Sequence, residues 1–203
     1  KGTIFCYSGY ESSVLRQIKA QMKSEDYEKY EEDINWIASF LKLIKKGKEK
    51  NDGASYVDLL DIIRKFYYHP KMKGSNSIKY VLPAVFESSN FVKNKYKKPL
   101  NFGKNLKNLI IYQKNSDDST VKDPYELLNT PQFIKAKNGL SKISESIVNG
   151  GQAMTAYAQL QNMKISKEKE SNLRAQLKRY CELDTLAMLI IFQHLNDLKK
   201  RNS

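Results

Sequence analysis

The chain has 203 residues and a mass of 23.5 kDa, and its residues are 40% hydrophobic and 28% charged. This composition excludes collagen-like, wholly disordered and mini-protein classes, and the length suffices for one well-filled core. The longest unbroken apolar run, residues 186–192, is far shorter than the roughly 18 residues that a membrane span needs, so no membrane association is predicted. Two cysteines, Cys6 and Cys181, are too few for a disulfide framework or a four-ligand zinc site and indicate a reducing, cytoplasmic setting.

Lysine dominates the charge of the chain. Lys and Arg number 35 against 22 Asp and Glu, which gives a formal net charge of +13. Positive charge favours phosphate backbones, but arginine, the better reader of phosphates and bases, is scarce here. The charge therefore permits a nucleic-acid partner without identifying one.

The first third of the chain predicts two short strands, each followed by a helix. Residues 2–7 read as a buried strand, and apolar spacing predicts a helix over 11–23. Ser24 is predicted to cap a second helix that ends at Gly47. Residues 56–63 read as a strand that passes into a helix.

The remainder of the chain is predicted to be mainly helical. A helix is expected after the capping sequence 75–77, a small-residue helix at 152–161 and a long helix at 167–200. Residues 87–141 are rich in Lys, Asn and Ser and are interpreted as an insertion or mobile lobe on the core. The predicted fold class is α/β, rich in helix and with few strands.

The last helix carries a candidate site, Tyr180 and Asp184. These residues are four apart, so they project from the same helical face, over an otherwise apolar stripe. A carboxylate pushed into such surroundings needs a metal or a hydrogen-bond donor. The alternative is an Asp on a solvated helix edge with Tyr180 simply packing.

Two further acids follow predicted strands. Glu11 lies one residue past the first strand, and Asp58 follows the second. Ligand sites of α/β proteins gather at the carboxyl ends of strands. The alternatives are a first-turn acid favoured by the helix dipole for Glu11 and a helix cap for Asp58.

Together, Tyr10-Glu11, Val57-Asp58-Leu59 and Tyr180-x-x-x-Asp184 resemble the motifs of DEDD-type 3′–5′ exonucleases of the ribonuclease-H-like fold, in their DnaQ-like, Tyr variant. Three blocks also resemble a bacterial domain-of-unknown-function family that is related to those exonucleases. The blocks are Tyr67-Tyr-His-Pro-Lys-Met-Lys-Gly-Ser-Asn-Ser-Ile-Lys-Tyr-Val-Leu-Pro83, Asn149-Gly-Gly-Gln-Ala-Met-Thr-Ala-Tyr157 and Tyr180-Cys-Glu-Leu-Asp-Thr-Leu-Ala-Met188.

The resemblance implies roles for the candidate residues. Glu11 and Asp184 fall at metal-ligand positions, Tyr180 at the position that orients the attacking water, and Asp58 would support the metal site. Two Mg²⁺ or Mn²⁺ ions would hold the water and the scissile phosphate in line.

The sequence departs from the exonuclease pattern in its first two motifs. Tyr7 or Cys6 stands where the second motif has Asn, and Glu11 replaces the commoner Asp. The letters Asp-x-Glu of the first motif occur at Asp26-Tyr-Glu28, in the polar first turns of a predicted helix. We therefore expect residues 1–203 to be the C-terminal portion of one ribonuclease-H-like domain, truncated at its N-terminus. An N-terminal domain of the same longer protein is expected as a partner.

Two groups of polar residues are candidates for binding nucleic acid. One lies at a helix start suited to a phosphate and consists of Lys73, Ser75, Asn76, Ser77 and Lys79. The other is a run of six lysines in residues 93–107, interleaved with Tyr96 and Phe102, which could track a single strand. Plain helix capping and a solvated loop are the respective alternatives.

The predicted function is metal-dependent, 3′–5′ exonuclease-like hydrolysis of DNA or RNA, by a site that is incomplete in this chain. One alternative is a non-catalytic, basic nucleic-acid-binding module with a degenerate site. Another is a helical interaction domain whose acids merely cap helices.

Overall fold

The computed structural model describes residues 3–46, 55–117, 120–129 and 147–201. The chain divides into two compact units, unit 1 (Lys1–Tyr68) and unit 2 (His69–Ser203). Whether the two units together form one ribonuclease-H-like domain stays a prediction.

Unit 1 contains a two-stranded parallel sheet. Strand β1 (Thr3–Cys6) pairs with strand β2 (Ser55–Asp58), and Cys6 lies opposite Asp58 at the carboxyl end of both strands. Both strands lie where the apolar runs predict them. The small sheet in a helix-rich chain confirms the predicted α/β class.

The described residues of unit 1 also form the helices α1 (Tyr10–Glu25), α2 (Glu31–Lys46) and α3 (Leu59–Phe66). Helices α1 and α2 pack against each other, while α2 contacts β2 and α3 contacts β1. The apolar residues buried in this unit are Cys6, Ile34, Ile37, Leu59 and Ile63.

The predicted start of the second helix was wrong. Ser24 lies inside the last turn of α1, where its hydroxyl donates to the carbonyl of Gln21 at 2.8 Å. Helix α2 instead begins at Glu31, and three acids occupy its first turn, where the positive end of the helix dipole stabilises them. The predicted end at Gly47 lies outside the described residues.

Unit 2 is built around the longest helix of the chain. Among its described residues, the elements are two 3₁₀ turns, Pro70–Met72 and Glu126–Asn129, and the helices α4 (Ile78–Ser88), α5 (Asn90–Tyr96), α6 (Gly150–Asn162) and α7 (Lys167–Arg201). Helices α4, α5 and α6 all pack against α7. The predicted helices 152–161 and 167–200 match α6 and α7 to within two residues at each end.

Residues 97–117 and 120–129 contribute to the core of unit 2 as well as to its surface. Between α5 and the second 3₁₀ turn, the chain buries a series of apolar side chains: Leu100, Leu106, Leu109, Ile111 and Tyr125. The described part of the Lys-rich stretch is thus anchored on the unit. Whether 87–141 is an insertion stays a prediction, and 130–146 lie outside the described residues.

No helix in the described ranges is both long and apolar enough to cross a bilayer.

Candidate functional site

The candidate residues of α7 face the interior of unit 2. Tyr180 is buried, Asp184 is half-buried, and the neighbouring positions Leu183 and Ala187 are fully buried. The i,i+4 spacing therefore does place a carboxylate and a phenol on one largely apolar face, with the carboxylate half-buried.

Tyr125 supplies the donor that the Asp184 carboxylate needs. Its hydroxyl donates to Asp184 Oδ1 at 2.5 Å, and its ring lies 5.8 Å from the ring of Tyr180, centroid to centroid. Tyr125 is placed by an Asx turn, since its backbone N–H donates to the Asp123 carboxylate at 2.9 Å. The half-buried carboxylate is thus hydrogen-bonded within the protein.

Lys79 brings a positive charge to the same place. Its ammonium lies 4.7 Å from the ring centroid of Tyr125 and 5.0 Å from that of Tyr180. The ammonium also donates to the carbonyl of Val148 at 2.6 Å. Two aromatic faces and a carbonyl therefore fix this cation beside Asp184. We call Lys79, Tyr125, Tyr180 and Asp184 the Asp184 cluster.

The electrostatics of the Asp184 cluster are set mainly by burial. Burial raises the pKa of Asp184 above its ordinary value, and the Tyr125 hydrogen bond and the Lys79 charge pull it partly back. Burial likewise lowers the pKa of Lys79, against the opposing effect of Asp184 and Asp123. The pKa values of Tyr125 and Tyr180 are raised by burial and by the nearby carboxylate, so both phenols stay protonated.

The predicted phosphate-binding residues lie in two different places: four form a turn, and Lys79 lies in the Asp184 cluster. Four of them, Lys73, Ser75, Asn76 and Ser77, form the turn between the first 3₁₀ helix and α4. Within it, the Ser75 hydroxyl accepts from the backbone N–H of Ser77 at 3.2 Å, and Ser77 is the N-cap residue of α4 without a side-chain cap bond. Lys79 belongs to the Asp184 cluster instead. Phosphate binding by the other four stays a prediction.

Glu11 and Asp58 lie in unit 1. Glu11 is an exposed first-turn acid of α1. The Asp58 carboxylate accepts from the backbone N–H groups of Ser8 and Leu60, each at 2.9 Å, and so caps α3 and ties the end of β2 to the turn after β1. The structure thus supports the capping alternative for Asp58. Tyr180 and Asp184 belong to unit 2. That Glu11 and Asp58 share a site with them therefore stays a prediction.

The Asp-x-Glu sequence at 26–28 lies between α1 and α2. The sequence pattern predicted it in the first turns of a helix, and that prediction was wrong. Asp26 is the C-cap residue of α1, and its carboxylate accepts from the backbone N–H of Lys29 at 3.1 Å. Asp26 and Glu28 lie outside both described strands, so they do not form the strand motif of an exonuclease.

The described residues do not fit a metal pair. Within residues 3–46, 55–117, 120–129 and 147–201, no group of three or more His, Cys, Asp or Glu side chains could hold a metal ion. At Asp184 the neighbouring groups are a hydroxyl donor and an ammonium, which compensate a carboxylate without a metal.

Sequence reasoning missed two residues that form long-range contacts at α7. Tyr125 lies in the stretch interpreted as an insertion, and the only local signal was the Asx-turn sequence Asp123-Pro124-Tyr125. Glu182 lies two residues before Asp184, and its carboxylate accepts from Asn105 and from the backbone N–H of Leu106. Both contacts join residues far apart in the sequence, which no periodicity reveals.

Comparison with known proteins adds a partial similarity. Residues 1–77 match a family described as Domain of unknown function (DUF2779). The match covers unit 1, with Glu11 and Asp58, and ends at Ser77, before the Asp184 cluster. No curated protein and no solved structure matches the chain.

Proposed function

We propose that this chain is part of a metal-dependent, 3′–5′ exonuclease-like protein of the ribonuclease-H-like fold that hydrolyses phosphodiester bonds in DNA or RNA. The observation that carries the proposal is the pairing of Tyr180 with Asp184 on the buried face of α7, one helical turn apart. The exonuclease resemblance requires this pair to face one site, and the packing of α7 is consistent with that requirement.

The local chemistry also supports a role in binding or reaction. A half-buried carboxylate, two protonated phenols and an ammonium gather within one cluster, and such gatherings of perturbed titratable groups are typical of functional sites. Tyr180 and Asp184 would be the catalytic residues in this proposal. Glu11 would be a further metal ligand, as the resemblance implies.

A second candidate is a non-catalytic, basic nucleic-acid-binding module. Two observations favour it: the lack of a metal-ligand group within the described parts of the chain, and the compensation of Asp184 by Tyr125 and Lys79. The two candidates share the fold and the charge, and they differ in turnover and in the need for a divalent ion.

The deciding experiment is a cleavage assay on the native full-length protein with Asp184→Asn. Labelled single-stranded DNA and RNA are incubated with Mg²⁺ or Mn²⁺, and shortening from the 3′ end is followed on a gel. Under the nuclease proposal, Asp184→Asn lowers the rate by at least about a hundredfold, because the amide lacks the negative charge that the exonuclease resemblance assigns to this position.

Asp197→Asn is the matched control, since Asp197 lies on the same helix, is also half-buried and pairs with Arg201 near the C-terminal end of α7. Hydrolysis that is unchanged in Asp184→Asn and still needs the metal would contradict the assignment of Asp184. Binding without cleavage, with an affinity that falls steeply with salt, would establish the second candidate.

A further inference from the structure

The segment that follows α4 carries a concentrated positive charge. Residues 90–107, which we call the lysine segment, contain six lysines and no acidic residue. Five of the six are exposed, and Lys93 is half-buried. None of them forms an ion pair with another described residue. Lys93 and Lys97 instead bond to the neutral amides of Asn90 and Asn94, so their charge is not cancelled.

The lysine segment is ordered by its own apolar residues. Leu100 and Leu106 are buried, and the loop between them is closed by two backbone bonds between Leu100 and the pair Asn108 and Leu109. At its start, Tyr96 is buried and its hydroxyl donates to Gln193 of α7 at 3.0 Å. The lysines are therefore presented by a fixed backbone, which lowers the entropy cost of binding a ligand.

Glu182 of α7 binds the C-terminal part of this loop, at Asn105 and Leu106. Its carboxylate accepts from the backbone N–H groups of Asn105 and Leu106 and from the Asn105 side chain, at 2.6 to 3.3 Å. Gly103 lies beside it with φ +89°, and a Cβ there would overlap the carboxylate. The Glu182 carboxylate is thus engaged with donors of Asn105 and Leu106.

Two aromatic rings accompany the lysines. Phe91 and Phe102 are 41% and 45% exposed, whereas Tyr96, which the sequence also suggested for stacking, is 1% exposed and unavailable. Exposed rings beside lysines are the pattern by which proteins hold single-stranded nucleic acid, through charge to the phosphates and stacking on the bases. A protein partner with an acidic surface would use the charge but gain little from the rings.

We propose that the lysine segment is a binding surface for single-stranded nucleic acid, with its lysines on the phosphates and Phe102 stacked on a base. This surface lies outside the blocks that carry the exonuclease resemblance. The proposal rests on the proposed function in taking nucleic acid as the partner, but it needs neither cleavage nor a metal.

The test measures binding of fluorescein-labelled dT12 and U12 by anisotropy, in EDTA, over a series of NaCl concentrations. The variant Lys97→Gln/Lys98→Gln/Lys104→Gln is compared with Lys164→Gln/Lys167→Gln/Lys200→Gln, which removes the same charge from exposed sites elsewhere in unit 2. The first triple is expected to lose affinity about tenfold to a hundredfold and to flatten the log–log salt dependence by about 2, since each phosphate contact on a single strand contributes about 0.7. The control triple is expected to change little.

Phe102→Ala tests stacking independently of charge. It is expected to weaken dT12 and U12 binding about fivefold or more while leaving the binding of heparin, a polyanion without bases, unchanged. Equal losses in the two lysine triples would overturn the proposal, because net charge alone would then explain binding. An equal loss of heparin and oligonucleotide binding in Phe102→Ala would overturn it too. EDTA prevents metal-dependent cleavage. The binding measurements therefore test the lysine segment whether or not the protein is a nuclease.

Discussion

At the scale of single residues, the hydroxyl of Tyr125 donates the hydrogen bond that stabilises the half-buried Asp184 carboxylate. Tyr125→Phe is expected to destabilise unit 2 by about 1–3 kcal/mol at pH 7, because it leaves a half-buried acceptor without its donor. Thermal unfolding followed by circular dichroism at 222 nm, where α7 contributes strongly, measures this loss.

The same variant has a predictable pH dependence. Burial raises the folded-state pKa of Asp184, so its carboxyl contributes most to stability below the unfolded-state value of about 3.9 and loses that contribution as the pH rises through the folded-state pKa. Loss of the Tyr125 hydroxyl raises the folded-state pKa further. The destabilisation is therefore expected to be larger at pH 7 than near pH 4.

Tyr112→Phe is the matched control, since it removes the same atom from a half-buried ring that packs on Phe86. A destabilisation by Tyr125→Phe that equals the control, or that grows toward pH 4, would show that the hydroxyl does not support an ionised Asp184.

At the scale of elements, the start of α3 separates two roles for Asp58. Asp58→Ala is expected to destabilise unit 1 by about 1 kcal/mol, because it removes the acceptor for the backbone N–H groups of Ser8 and Leu60. Asp58→Asn keeps an acceptor oxygen and is expected to stay close to the wild type. Urea unfolding followed by the fluorescence of Trp36, the single tryptophan, measures unit 1 specifically.

The stabilities of Asp58→Ala and Asp58→Asn distinguish a structural cap from a metal ligand. If both variants unfold alike, and Mg²⁺ stabilises only the wild type, Asp58 acts through its charge on a cation and not through its acceptor geometry.

At the scale of the whole molecule, the net charge of +13 predicts stabilisation by salt. Raising NaCl from about 20 mM to about 200 mM shortens the Debye length from roughly 20 Å to below 10 Å and screens the repulsion among the lysines. The Tm is expected to rise by a few degrees.

Differential scanning calorimetry over a NaCl series measures this rise. Glycine at the same osmolality, which screens no net charge, serves as the control. A Tm that is constant or falls with NaCl would mean that local ion pairs outweigh the net repulsion.

The sequence by itself determined the elements of this protein. Apolar periodicity located both described strands and most helices. An element that buries one face repeats its apolar residues every two positions in a strand and every 3.6 positions in a helix. It also placed Tyr180 and Asp184 on one face of α7. It misjudged the start of α2, because Ser24 extends α1 through a hydroxyl bond to its own helix and the acids that stabilise a helix start lie further on, at 31–33.

Only the tertiary structure decided what those faces meet. Tyr125 approaches Asp184 across 59 positions of the chain, and Lys79 reaches Val148 across 69, so neither contact leaves a local pattern. Leu100 and Leu106 of the lysine segment are likewise buried, and Glu182 of α7 accepts from Asn105 and Leu106 across more than 70 positions of the chain. Such contacts depend on how the helices pack, and sequence spacing specifies only which face of each helix takes part.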